Sequence, residues 1–226
     1  GVERELRGNE PLFSLAVEDV KARSQGYLDF LVPGLLAFTL MQISVAGSGF
    51  NLVEYRRKGI LKRLFVTPLR PRDFIAGLVL ARLLLCVVQL SVLLLVAVFA
   101  LGVTVAGDFL SLYAVIVLGT VTFLSLGFCL GSLAKTQQAI VAIGNLFIFP
   151  QMFLSGIFIP IDSLPEMVQP LSKILPLTFV AGALREISNN GLSLLEIAPQ
   201  LAGIAVWLGI GFFLATRLFV WKEVAA

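Results

Sequence analysis

The chain has 226 residues, 58% of them hydrophobic and only 14% charged, with a formal charge of +3 and a mean hydropathy of +0.96. That is more apolar surface than a globule of this size can hide from water, so an ordinary soluble domain is excluded and lipid is the expected solvent. The chain contains no His, which removes His-based zinc sites, general bases and proton relays.

In chain order, Pro11 to Gln25 mixes Leu12, Phe13, Leu15, Ala16, Val17 and Val20 with Glu18, Asp19, Lys21 and Arg23, the pattern of an amphipathic element at a membrane interface. Five apolar runs follow, at Leu28 to Phe50, Ile75 to Leu101, Phe109 to Ala134, Ala139 to Ile161 and Pro199 to Phe219. A hydrocarbon core of about 30 Å needs about 20 helical residues at about 1.5 Å each, and each run meets that length. The runs are continuously apolar and do not alternate, which favours helices over barrel strands. The predicted fold class is an all-α polytopic membrane protein with five visible transmembrane helices.

Orientation follows from the positive charges beside the span ends. Arg56, Arg57, Lys58, Lys62, Arg63, Arg70, Arg72, Lys135, Arg217 and Lys222 fall on one side, whereas the opposite side offers chiefly Lys173 and Arg185. Residues 51–74, the turn at 135–138 and the C-terminus are therefore expected in the cytoplasm, and residues 1–27, 102–108 and 162–198 outside. An outward start without Met or an apolar leader leads us to expect a truncated chain, preceded by at least one further span, with residues 1–27 the tail of an outer segment.

The 51–74 loop carries seven cations. From Tyr55 to Val66 the apolar residues Ile60, Leu61, Leu64 and Phe65 recur at helical spacing, with Arg57, Lys58, Lys62 and Arg63 around them and Thr67-Pro68 ending the turn. The pattern predicts a short amphipathic helix. It suits first an anionic leaflet, at about 1 kcal/mol per cation, and second a groove on a soluble cytoplasmic subunit.

The long segment 162–198 is too apolar for a solvated loop. Leu164, Met167, Val168, Leu171, Ile174 and Leu175 recur between Pro165 and Pro176, predicting a short helix in the outer interface with Phe179 to Ile187 as its returning partner.

Within the spans, Ser44, Ser48 and Asn51 form one stripe and Thr122, Ser125, Cys129 and Ser132 another. Either stripe suits a pathway lining or close helix packing, and Gly127-x-x-x-Gly131 adds to the packing reading. Asn145 and Gln151 on the fourth run are amides at depth that need partners, for function or for an interhelical hydrogen bond, and Pro150 is expected to loosen that helix. Arg82 is the cation well inside a run, placed to snorkel or to pair within the bundle. No Asp or Glu lies deep in any run, which argues against a proton-coupled pump or an intramembrane aspartyl protease. The Walker phosphate loop is absent. Cys86 and Cys129 read as small apolar fillers.

Two blocks resemble one family. The order Glu-x-Arg-Arg-x-Gly-x-Leu-x-Arg-Leu at 54–64, with Thr67-Pro68-Leu69 and Ile75-Ala76-Gly77, is similar to the loop after the second span in permeases of the type-2 ATP-binding-cassette exporters. Phe153 to Pro160, followed by Leu164-Pro165, Leu175-Pro176-Leu177-Thr178 and Ala183-Leu184-Arg185, is similar to the outer segment between that family's last two spans. Phe30 to Leu35 agrees as well, so the resemblance covers nearly the whole chain from about Leu28.

The resemblance implies a permease domain over 28–226 holding the second to sixth of six spans, paired with a second permease subunit as a homo- or heterodimer and with two cytoplasmic ATPase subunits. No enzyme activity and no cofactor are implied for this chain, since ATP and Mg belong to the partner ATPase. Membrane lipids are the other expected contact, and no nucleic acid is expected. The resemblance assigns ATPase coupling to Glu54, Arg56, Arg57, Gly59, Ile60, Leu61, Lys62, Leu64 and Phe65. It assigns an outer gate or interfacial role to Gly156, Pro160, Leu164, Pro165 and Pro176; Ser44, Ser48, Asn51, Thr122, Ser125, Asn145 and Gln151 are candidate pathway residues. The apolar spans favour a drug or lipid as cargo, although polysaccharides also occur among the substrates of such exporters. A passive channel and a structural or assembly protein with a lipid-bound loop are the readings from other classes.

Overall fold

A computed structural model describes residues 12–60, 71–103 and 105–218, and among them every regular element is helical. Helix α1 (Leu12–Val45) runs through a π-helical turn, Ala46–Phe50, into α2 (Asn51–Arg57) without a break. Then come α3 (Pro71–Leu101), α4 (Phe109–Leu133) and α5 (Gln137–Leu154). A 3₁₀ turn at Ile161–Ser163 precedes α6 (Gln169–Ile174), α7 (Pro176–Asn190) and α8 (Ala198–Leu218). Among the described residues, five segments are long and apolar enough to cross a membrane: Gly26–Arg57, Ala76–Ala100, Phe109–Leu133, Gln137–Leu154 and Ala198–Arg217.

Helix ends follow local chemistry. Asp108 caps α4 by accepting from Ser111 N at 3.4 Å, and Thr136 Oγ1 caps α5 by accepting from Ala139 N at 3.1 Å. Pro176 opens α7, where a missing N–H costs nothing, and Gly191 closes it at φ +68°.

Helix α4 is the hub, packed on α1, α3, α7 and α8. Leu36, Leu40 and Met41 from α1 meet Leu112, Ile116 and Phe123 from α4 and Leu177 and Leu184 from α7 in one core. The outer faces of α3, α5 and α8 carry exposed Leu84, Phe99, Leu146 and Phe212, as expected of helices whose solvent is lipid.

Several expected boundaries shift. The first span does not stop at Phe50, and no break separates it from the element expected at Pro11 to Gln25; the helix simply continues through both points. The amphipathic helix expected over Tyr55 to Val66 is interrupted, because Tyr55, Arg56 and Arg57 are the last turn of the first span's helix and the chain then turns at Lys58-Gly59. Gly59 takes φ +66°, and its N–H bonds to Arg56 O at 3.1 Å. Residues 61–70, including Leu61, Lys62, Leu64 and Phe65, lie outside the described residues. The fourth span ends at Leu154 and not at Ile161, since Gly156 adopts φ +73° and Pro160 follows; before that point the helix runs on through Pro150. The helix expected between Pro165 and Pro176 shortens to α6, while Phe179 to Ile187 lies within α7 as expected.

Candidate functional site

The charged end of the first span holds most of the residues the sequence singles out. Gly47, Ser48 and Gly49 occupy the π turn and are buried. The two glycines remove bulk where a neighbour approaches: a Cβ on Gly47 would lie 2.9 Å from Arg82 Cδ, and one on Gly49 2.9 Å from Gly127 O. On the facing helix, a Cβ on Gly131 would sit 2.8 Å from Gly49 O, and one on Gly127 3.0 Å from Val45 Cα and against Ser48 Oγ. The expected Gly127-x-x-x-Gly131 contact is therefore a backbone seam against the π turn, the close approach that small residues allow in lipid.

Polar groups in this seam are satisfied locally. Ser48 Oγ donates to Ser44 O at 2.8 Å, and Ser44 Oγ lies 3.7 Å from Cys86 Sγ on α3. Asn51 Nδ2 donates to Gly47 O at 2.8 Å while the backbone N–H of Asn51 bonds to Ser48 O. On α4, Thr122 Oγ1 donates to Leu118 O and Ser125 Oγ to Thr122 O. Ser125 Oγ also packs against Gly211 of α8, and Cys129 Sγ donates to Gly211 O at 3.1 Å. Ser44, Ser48 and Thr122 are fully buried, so the structure sets them in helix seams within this protomer.

The residues expected to couple to an ATPase divide by direction. Arg56 turns inward and Nη1 donates to Gly131 O at 3.3 Å, where α4 ends and its carbonyls lack intrahelical partners. Leu52 and Val53 are buried beside it. Arg57 and Lys58 turn outward, both 3.1 Å from Glu54 Oε1. These are exposed pairs that hold the helix end while leaving positive charge at the surface. Ile60 is half-buried. Arg82 is also half-buried and packs along Gly47, placing a cation on the same end.

The remaining candidates lie elsewhere. Asn145 is exposed on the outer face of α5. Gln151 is buried near the far end of α5, where Oε1 accepts from Leu177 N at 3.3 Å and so serves an orphan N–H in the first turn of α7. Gly156 and Pro176 are buried at the junction of α5, α1 and α7, whereas Pro160 and Pro165 are exposed and Leu164 is half-buried.

One residue that the sequence marks only as a charge organises this junction. Arg185 stacks its guanidinium 3.9 Å from the Phe30 ring centroid and donates to Phe30 O at 3.3 and 3.2 Å and to Gly156 O at 3.2 Å. It ties the start of the first span, the end of the fourth and α7 together. Burial pushes its pKa down and neighbouring Glu186 pushes it up. The available signal was an Arg on the apolar side of a strongly amphipathic helix; for the π turn it was Gly-Ser-Gly inside an otherwise apolar run.

The sequence profile of the family described as ABC-2 type transporter matches residues 10–188. The chain is 27% identical over 191 residues to ABC transporter G family member 20 of Dictyostelium discoideum, covering 84% of this chain and 26% of that protein. It is 26% identical over 157 residues to the linearmycin resistance permease protein LnrN of Bacillus subtilis (strain 168), covering 70% and 40%. It is 26% identical over 169 residues to the probable multidrug ABC transporter permease YbhR of Escherichia coli (strain K12), covering 74% and 46%. The chain thus spans from 26% to 46% of the length of these three relatives.

Proposed function

This chain belongs to the ABC-2 type transporter family and is a multi-pass membrane protein, and from that premise we propose that it is the permease part of an exporter driven by separate cytoplasmic ATPase subunits. The observation that carries the proposal is the family match across residues 10–188, which takes in the first four spans and the cationic turn beneath the first. In this reading residues 28–226 form the permease domain, residues 1–27 are the tail of an outer segment, and the turn at Glu54–Gly59 faces the cytoplasm.

The physical logic is a division of labour. Nucleotide closes the ATPases, these displace the surface cations Arg57 and Lys58, and the displacement enters the bundle through the helix that carries Arg56 into the seam. A packed seam has discrete arrangements and not a continuum, so a small push is enough to switch it between inward-open and outward-open packings. The cargo proposed is apolar or amphipathic, because no carboxylate lies deep in the described spans and their outer faces are apolar. Two relatives are named for multidrug transport and for linearmycin resistance, which supports a drug among the cargoes to be tried. A second permease subunit would complete the pathway.

The test is co-purification of the full-length protein with a cytoplasmic ATPase subunit. We expect a stable complex that is lost on charge reversal of Arg57 and Lys58 to Glu. Retention of the complex in the reversed variant would favour a loop that binds lipid and not an ATPase.

A further inference from the structure

We propose that Asn51 and Arg56 are positioning residues that fix the rotation of the helix end leading into the cytoplasmic turn, Asn51 by holding the π turn open and Arg56 by locking the resulting register onto Gly131. The inference rests on the exporter reading for its coupling role, although the register itself does not depend on it.

In a regular α-helix the backbone N–H of residue 51 would bond to the carbonyl of residue 47. Here that N–H turns to Ser48 O, and the Asn51 side chain takes Gly47 O in its place at 2.8 Å. Gly47 O thus keeps a donor within the membrane, which answers at this carbonyl the usual objection to irregular helix there. The wide turn absorbs one residue, worth about 100° of rotation in a helix of 3.6 residues per turn. With the turn open, Leu52, Val53 and Arg56 face α4, and Arg57 and Lys58 face out. Closing it into a regular helix advances each later residue by one place around the axis. Val53 then takes the half-exposed place that Glu54 has now, and Arg56 takes the exposed place of Arg57, off Gly131 O. Wide turns of this kind concentrate at functional sites. This one lies one turn above the cytoplasmic loop and against the glycine seam, where Gly49 and Gly131 meet backbone to backbone.

The experiment has two arms, both in the full chain with its ATPase partner and with Cys86→Ser and Cys129→Ser as background. In the first, thiol labelling of Val53→Cys is compared with and without Asn51→Leu, which keeps side-chain bulk but removes the donor. We expect the site to be protected in the parent and to label about tenfold faster in the variant. In the second arm, cargo moved per ATP hydrolysed is measured for Asn51→Leu, Arg56→Met and Arg56→Lys. The first two are expected to fall about tenfold, within the usual range of coupling free energies, with assembly and ATP hydrolysis retained, and Arg56→Lys is expected to recover part of the loss by supplying one donor. Unchanged labelling, or unchanged cargo per ATP in Asn51→Leu and Arg56→Met, overturns the inference. If the parent itself moves no cargo with nucleotide, the exporter reading fails, and the coupling role with it, while the labelling arm still decides the register.

Discussion

At its charged end the first span meets α4 through bare backbone, with Gly49 against Gly131 and Val45 against Gly127, whereas at its other end it meets α7 through side chains gathered around Arg185. The first junction is defined by what is missing, since every added carbon meets a neighbour. The second is defined by what one guanidinium supplies to Phe30 O, Gly156 O and the Phe30 ring. A junction of close backbone whose register is held chiefly by the Arg56 bond to Gly131 O can be reset by losing few specific contacts. A junction held by a forked donor on fixed carbonyls resists displacement. On the exporter reading proposed above, the contrast would put movement at the charged end and anchoring at the α7 end.

Adding bulk and removing donors should break the two junctions in opposite ways. The largest effect is expected from Gly127→Leu, whose side chain must displace Val45 and Ser48. Overpacking of this kind costs about 3 kcal/mol and should show as loss of folded protein after detergent extraction. Next, Arg185→Ala leaves two carbonyls without this donor and removes the ring contact, at a cost of about 2 kcal/mol in detergent unfolding. Arg185→Lys should recover less than half of that, since an ammonium lacks the fork that spans both carbonyls. The smallest of the three is Gln151→Leu, which withdraws one acceptor from Leu177 N and should cost about 1 kcal/mol. If Gly127→Leu proved milder than Gln151→Leu, the seam would not be the tight contact described and the contrast would fail.

The sequence carried the architecture well, because span length and apolar continuity are imposed by the bilayer and need no tertiary information. It also carried the Gly127-x-x-x-Gly131 contact, where spacing alone puts two small residues on one face. Span ends were less legible. The helix through Asn51–Arg57 continues past the last apolar residue, with Glu54, Arg57 and Lys58 paired along it, and α5 stops at Leu154, just before Gly156, although the sequence stays apolar to Ile161. The direction of Arg56 was hidden for another reason. A π turn one span-end away resets which residues face inward, and no period read at a constant 100° per residue survives it. Arg185 was visible as a charge but not as a clamp, since both carbonyls it serves are remote in sequence.

The central claim, that this membrane bundle moves cargo only when a separate motor works on its charged turn, is tested most directly in proteoliposomes. The full-length protein would be reconstituted with its ATPase partner and followed by expulsion of a fluorescent amphipathic probe. The account predicts expulsion that requires both ATP and the ATPase and that stops when Arg57 and Lys58 are reversed in charge. Equal probe movement without ATP or without the ATPase would contradict it and would make the bundle a passive conduit.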